Sequence, residues 1–302
     1  MSLYDTGALA LERTCPATEV QPDGDHPPPP DGPNFLVIGA MRSGTSSLAY
    51  SLRSHPQVFM APSKELHFFT DRFDQGLDWY RYQFQGSHGC AAVGEATPTY
   101  MYDPSAVERM AALLPDARLI AVLRNPVDRA YSHYWHQVEK GRETMPFADA
   151  VAAEPARLAG RSGIDRRAFA YLDKGRYREQ LVRVCTFYPR DHLHVLLFED
   201  LRDRPADTFA AVCAFLGIDP EATPAPLAKV VNPHIRVRSE WVRRVTRPLP
   251  ERLRNLIGRV NAPPTDYPTM DPELRAELSR AFERGNDALA AWLGRDLSAW
   301  RN

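Results

Sequence analysis

The stretch Phe35 to Leu52 reads FLVIGAMRSGTSSLAYSL. An apolar run meets Gly39 and Gly44 at the spacing of the loop that grips nucleoside triphosphates, a loop that continues with Lys and then Ser or Thr. Here Thr45 and Ser46 follow Gly44 directly, and the lysine is missing. Glycines and small side chains let backbone N–H groups curl round an anion, and a following helix adds the positive end of its dipole. Arg42, Ser43, Gly44, Thr45 and Ser46 would form that cradle, with Arg42 giving a fixed charge and a planar fork suited to oxyanions. The alternative is a plain tight turn in which Gly44 meets a backbone need. A triphosphate normally needs Mg²⁺ and the loop lysine to offset its charge. No aspartate convincingly placed for Mg²⁺ is evident either. The loop therefore fits a 5′-phosphosulfate, whose transferred sulfuryl group has a single formal negative charge and can be held by amides and one cation, without metal.

Other candidate residues follow later strands. Glu65 and His67 stand in PSKELHFFTD, and attack by a hydroxyl needs a carboxylate or imidazole within reach to take its proton. Glu65 is either that base or a partner of Lys64 or Arg42 that holds the loop; His67 is either catalytic or a packed, hydrogen-bonded ring. Arg124 ends the apolar run LIAVL, just before Asn125 and Pro126, a helix cap and first turn. There it either meets an anion at a helix N-terminus or pairs with Asp128. Ser132 lies two turns on. His133 and His136 are expected to be surface or packing residues of the same helix.

The elements that must position these groups alternate. Strands are expected at Phe35–Ile38, Val58–Met60, Ala91–Gly94, Leu119–Leu123 and Leu193–Phe198. Helices are expected at Ser43–Ser54, Leu77–Phe84, Pro104–Leu114, Pro126 to about Lys140 and Tyr177–Tyr188, and helices dominate from there to the C-terminus. This pattern predicts an α/β fold of three layers, α/β/α, with a central, mainly parallel sheet and a helical C-terminal part. Ligands in such folds bind at the C-terminal ends of the strands, where all the candidate residues fall. In the C-terminal part, Asp271 and Pro272 read as a cap and first turn. Arg236 and Arg238 in NPHIRVRSEWVRR either reach a bound nucleotide or form a solvated basic face.

The 302 residues suffice for a large core, and residues 1–33, with QPDGDHPPPPDGP, are expected to be a disordered, proline-rich tail before a domain at 34–302. A net charge of −1 gives no global field to draw nucleic acid. Cys15, Cys90, Cys185 and Cys213 have no paired spacing, so neither a zinc site nor a redox pair is expected, and Cys185 and Cys213 read as buried thiols. With no apolar stretch of membrane-spanning length and no secretory leader in the pattern, the expectation is a cytoplasmic protein without a membrane span.

Three stretches now bear jointly on the chemistry: PSKELHFFTDRFDQGLDWY, GEATPTYMYDPSAVERM and LIAVLRNPVDRAYSHYW. In this order, with the phosphate loop before them, the chain resembles sulfotransferases that use 3′-phosphoadenosine-5′-phosphosulfate (PAPS). It most resembles the branch with the heparan sulfate N- and 3-O-sulfotransferases, over about Phe35 to Leu201. The resemblance implies that Arg42 to Ser46 hold the 5′-phosphosulfate, that Arg124 and Ser132 hold the 3′-phosphate, and that Glu65 is the base. It implies a sulfuryl transfer to a hydroxyl or amine of a small-molecule, carbohydrate or lipid acceptor, with no metal. Two departures bear on the acceptor. The heparan enzymes have lysine where Arg42 stands, as tyrosylprotein sulfotransferases do not, and their E-K-T-P-x-Y pattern has Ala96 at its lysine here. The competing readings are a P-loop phosphotransferase with Mg²⁺ on Glu199 or Asp200, and a nucleotide-binding protein without catalysis.

Overall fold

A computed structural model describes residues 32–159, 163–222 and 268–301. In chain order the elements are β1 (Phe35–Gly39), α1 (Thr45–Ser54), β2 (Val58–Met60), α2 (Gly76–Tyr82), β3 (Ala92–Ala96), α3 (Pro104–Leu113), β4 (Arg118–Leu123) and α4 (Pro126–Glu139). Then come α5 (Phe147–Ala152), α6 (Glu154–Leu158), α7 (Gly163–Phe169), α8 (Tyr177–Cys185), β5 (Leu193–Leu197), α9 (Phe198–Asp203), α10 (Pro205–Leu216) and α11 (Pro272–Leu293).

The five strands form one sheet in the order β2-β3-β1-β4-β5, and every neighbouring pair is parallel. A parallel sheet is covered on both faces, so its strands are continuous apolar runs. Their alternate side chains separate into two cores. Leu36, Ile38, Leu119, Ala121 and Leu123 face α2, α3, α8 and α11 through Tyr80, Val107, Met110, Leu181, Val184 and Leu289. Phe35, Val37, Ile120 and Val122 face α1 and α10 through Leu48, Leu52, Phe209, Val212 and Leu216. A third cluster joins Val127, Ala130 and Tyr134 of α4 to Phe147 and Ala150 of α5 and Leu278 and Phe282 of α11. The expected three-layer α/β/α architecture is therefore present.

β1 lies between β3 and β4, where the chain's direction of winding across the sheet reverses. Such a switch point opens a crevice at the carboxyl ends of the strands. The loops after β1, β2, β3 and β4 all emerge on this edge.

Several boundaries differ from expectation. α1 begins at Thr45 instead of Ser43, which leaves Ser43 and Gly44 in the loop. β3 runs on to Ala96, α8 stops at Cys185, and Phe198 opens α9 directly instead of closing β5. Helices α5 to α7 were not anticipated. The expected tail at 1–33 falls outside the described residues up to position 31, while Gly32 and Pro33 are already buried. Arg236 and Arg238 also lie outside the described residues. Cys90 is buried and disulfide-bonded. Cys213 is a buried free thiol, whereas Cys185 is free but only half-buried.

Candidate active site

The phosphate loop leaves β1 at Gly39 and enters α1 through Gly44, which has a φ of 94°. Glycine is required there twice over, because a Cβ would also come within 2.9 Å of Phe198 Cδ2. The Thr45 and Ser46 amides that open α1 are among those a helix leaves without intrahelical partners, and they follow the carboxyl end of β1. Ser43 is fully buried, its hydroxyl beside that of Tyr177.

Arg42 and the end of β4 are already joined. Arg42 Nε donates to Ser132 Oγ at 3.0 Å, and Arg124 Nη1 donates to the Arg42 carbonyl at 3.3 Å. The two segments expected to hold the 5′ and 3′ groups of one donor are thus brought into contact. Arg124 lies 4.8 Å above the Phe198 ring, and burial lowers its pKa, opposed by Asp128, Tyr177 and Glu199. The surface-pair alternative for Arg124 is not what forms: Asp128 instead accepts from Arg275 Nη1 at 2.8 Å. Asn125 caps α4, its side chain accepting from Val127 N at 2.9 Å, with Pro126 in the first turn. Ser132 is buried on that helix.

Glu65 and His67 follow β2 and meet. His67 Nε2 is 3.5 Å from Glu65 Oε2, and Lys64 Nζ is 3.7 Å from Glu65 Oε1. Burial raises the Glu65 pKa, but the hydrogen bond to His67 and the charges of Lys64, His67 and Lys140 outweigh it, and the carboxyl ends below its ordinary value. It is therefore ionised at neutral pH and able to accept a proton. The Nδ1 side of His67 faces Asp71 Oδ2 at 3.7 Å, Thr99 Oγ1 at 3.4 Å and Thr70 Oγ1 at 3.5 Å. His67 thus stands between two carboxylates.

Arg42, Glu65 and His67 have φ values of 71°, 56° and 55° and are the non-glycine residues of positive φ among those described. Left-handed backbone is unfavourable for side chains with a Cβ, and it concentrates where surroundings over-determine a functional geometry. All three are among the candidate residues that the sequence singled out.

The sequence reading did not give Glu95 a role. It is buried at the end of β3, and accepts from Thr97 Oγ1 at 2.6 Å, Tyr100 OH at 2.7 Å and Tyr80 OH at 3.2 Å. Burial raises its pKa against these hydrogen bonds. Thr97 Oγ1 in turn accepts from the His67 amide at 3.3 Å, so the network braces the loop that carries Glu65. The E-x-T-P-x-Y spacing was the available signal, since it puts both hydroxyls next to one strand-end carboxylate. His133 is wholly buried, and burial holds its imidazole well below the ordinary value, in keeping with a packing role.

The model of the sulfotransferase domain family matches residues 32–236, well over half of the chain. The chain belongs to the sulfotransferase family. It is 29% identical over 282 residues to the human protein "Bifunctional heparan sulfate N-deacetylase/N-sulfotransferase 2", covering 89% of this chain and 30% of that one. It is 33% identical over 186 residues to mouse "Heparan sulfate glucosamine 3-O-sulfotransferase 6", covering 62% of this chain and 52% of that one. The chain therefore spans only about a third to a half of the length of these curated relatives. Among solved structures, the sulfotransferase from Alicyclobacillus acidocaldarius aligns with a TM-score of 0.69 at 31% identity, covering 89% of this chain and 99% of that one. The family's reaction is sulfuryl transfer, and PAPS dependence is its general property. The resemblance to the heparan branch is borne out by these relatives.

Proposed function

We propose that this sulfotransferase moves the sulfuryl group of PAPS to a hydroxyl or amine of its acceptor, with Glu65 as general base. The observation that carries the reading is the convergence of three segments. The phosphate loop and the Arg124–Ser132 pair follow the neighbouring strands β1 and β4, the Glu65–His67 pair follows β2 on the same edge with β3 between, and Arg42 is bonded directly to Ser132.

In this reading the loop amides from Gly44 to Ser46, the loop hydroxyls and the Arg42 guanidinium hold the 5′-phosphosulfate, the Ser43 amide being bonded to the Ala40 carbonyl at 3.2 Å. Arg124 and Ser132 hold the 3′-phosphate. The acceptor oxygen or nitrogen attacks sulfur as Glu65 takes its proton, and His67 orients Glu65. The bond from sulfur to the bridging oxygen breaks, and its electron pair leaves on the 5′-phosphate. Charge developing there meets Arg42 and the N-terminus of α1, which need no reorganisation to stabilise it. The acceptor is proposed to be a carbohydrate or small molecule, and the likeness to relatives named for heparan sulfate favours the carbohydrate.

The phosphotransferase alternative is not favoured. Asp200 is clamped between Arg204 and Arg295, and Glu199 Oε1 takes Trp300 Nε1 at 3.2 Å and Asn125 N at 3.4 Å, while Glu199 Oε2 is buried without a hydrogen-bond partner among the described residues, so it is Asp200 that is fully engaged in holding the chain together.

The test is transfer from radiolabelled PAPS to a panel of N-deacetylated heparosan, a tyrosine peptide and a simple phenol. Wild-type protein is expected to label at least one acceptor, and Glu65→Gln to cut that turnover by about 10²- to 10⁴-fold while adenosine 3′,5′-bisphosphate affinity stays within about threefold. His67→Ala is expected to lose less. A fully active Glu65→Gln with an inactive, folded His67→Ala would reverse the two roles.

A further inference from the structure

Arg167 belongs to α7 and is almost fully buried. Its guanidinium forks between two carboxylates: Nη2 donates to Asp71 Oδ1, and Nη1 donates to Asp103 Oδ2 at 2.8 Å. The second oxygen of Asp71 is the one that faces His67 Nδ1 at 3.7 Å, on the ring whose Nε2 faces Glu65. The second oxygen of Asp103 caps α3, accepting from Ser105 N at 3.1 Å. The Arg167 carbonyl accepts from Lys174 Nζ at 2.7 Å, and that buried nitrogen also lies 3.4 Å from Met41 Sδ in the phosphate loop. One residue therefore ties the loop after β2, the start of α3 and the phosphate loop together.

We propose that Arg167 is a positioning residue for sulfuryl transfer, which acts through Asp71 to hold His67 against Glu65. The proposal rests on the reading of Glu65 as base given above. Three features support it. A planar fork engaged by two carboxylates fixes both in orientation, which a single flexible contact does not. Asp71 spends one oxygen on Arg167 and points the other at His67, so its rotamer is set from behind. Finally, Glu65 and His67 both sit in the left-handed region, a conformation that persists only where neighbours enforce it. Asp71, with the Thr70 and Thr99 hydroxyls, faces the His67 ring at Nδ1, and the Thr97 hydroxyl accepts from its amide.

A residue that merely stapled α7 to α3 would act through Asp103, and this separates the two possibilities. The full chain is compared with Arg167→Gln, Asp71→Asn, Asp103→Asn and the double variant Asp71→Asn/Arg167→Gln. Turnover is read with PAPS and whichever panel acceptor the wild type labels. Histidine ring nitrogens are read by NMR with no acceptor present, the His67 signals being assigned by their loss in His67→Gln. Arg167→Gln and Asp71→Asn are each expected to lower kcat about ten- to a hundredfold. Adenosine 3′,5′-bisphosphate affinity is expected to stay within about threefold. The double variant should lose no more than the worse single one, because both act on one chain of contacts. His67 ring signals should move in both single variants while the other histidines stay in place, and Asp103→Asn should cost thermal stability without a matching loss of kcat. Additive losses, an unmoved His67 ring, or equal losses of kcat and bisphosphate affinity would overturn the proposal. If Arg167→Gln fails to fold, Asp71→Asn and the ring spectra decide. If the wild type labels no acceptor, the assigned reaction fails, while the ring spectra still decide whether Arg167 positions His67.

Discussion

Arg124 shows how much one side chain can reveal about ligand identity. Its guanidinium is half-buried, rests on Phe198 and donates to the backbone of the phosphate loop, and its carbonyl accepts from Tyr177 OH at 2.9 Å. A 3′-phosphate at this point would gain a charge-assisted bond in a partly dry setting. Arg124→Ala is therefore expected to lose about 1.5–3 kcal/mol of adenosine 3′,5′-bisphosphate affinity by calorimetry. AMP, which lacks that phosphate, should bind the variant and the wild type alike. Equal losses for both ligands would show that Arg124 supports the fold instead of reading the 3′ group. The same logic applies to Glu65: its ionised state is set by His67, Lys64 and Lys140 against the pull of burial, so its chemistry depends on neighbours from two different segments.

At the scale of elements, the turn after α4 is held by a single carboxylate. Glu143 is buried and accepts from the amides of Thr144 and Met145 at 3.0 Å each, from Tyr171 OH at 2.8 Å, and from Arg157 of α6. Burial alone would raise its pKa, but Arg157, the Met145 amide and Tyr171 hold it down at about 2. A carboxyl whose folded pKa lies below its unfolded value adds stability above the unfolded pKa and loses it as pH falls toward the folded one. The window here runs from about pH 4.5 down to about 2. Glu143→Gln is expected to cost about 2–4 kcal/mol at pH 7. Its acid-unfolding curve should then be flatter than the wild type's across that window. Denaturant titrations at stepped pH check this, and parallel curves would refute it. Glu143 also shows why part of the fold was illegible in the sequence. Helices α5, α6 and α7 are five to seven residues long, too short to display an apolar period or to persist alone. They exist because Glu143 holds Arg157, because Glu154 accepts from the Leu172 and Asp173 amides at 2.7 and 2.8 Å, and because Phe147 packs on Tyr134. None of these pairings has a local signature. By contrast, β1, β4 and the Asn125–Pro126 entry to α4 were readable, since an unbroken apolar run and a cap are local patterns. The phosphate loop and Glu65 could be found from residue types and order. The Asp71–Arg167–Asp103 bridge could not, because it depends on which loops the sheet order makes neighbours; in the Glu95 network the Thr97 and Tyr100 contacts had a local spacing signal, and only the Tyr80 contact from α2 did not.

Over the whole molecule, the sheet order places β1 between β3 and β4 and so collects four loops on one edge. The C-terminal segment closes this arrangement from behind. The Trp300 carbonyl accepts from Asn125 Nδ2 at 3.4 Å, its indole donates to Glu199, and its ring meets Tyr177 with centroids 6.1 Å apart. α11, capped by Asp271 and ended at Gly294, packs across α4 and α8 as one helix of 22 residues. The loops of the site are thus carried by a sheet packed on both faces, with their charge concentrated locally in a protein of net charge −1. The central claim is that this cradle, with Arg42 and without a lysine before Thr45, is shaped for a 3′-phosphorylated adenosine phosphosulfate and not for a triphosphate. The most direct test is calorimetry of the full chain with adenosine 3′,5′-bisphosphate and with ATP, each with Mg²⁺ and with EDTA. Bisphosphate binding is expected to be unchanged by EDTA, and ATP binding to be weaker by about tenfold or more, the worth of a lost charged contact. Tight ATP binding that requires Mg²⁺, with the bisphosphate weaker, would contradict it.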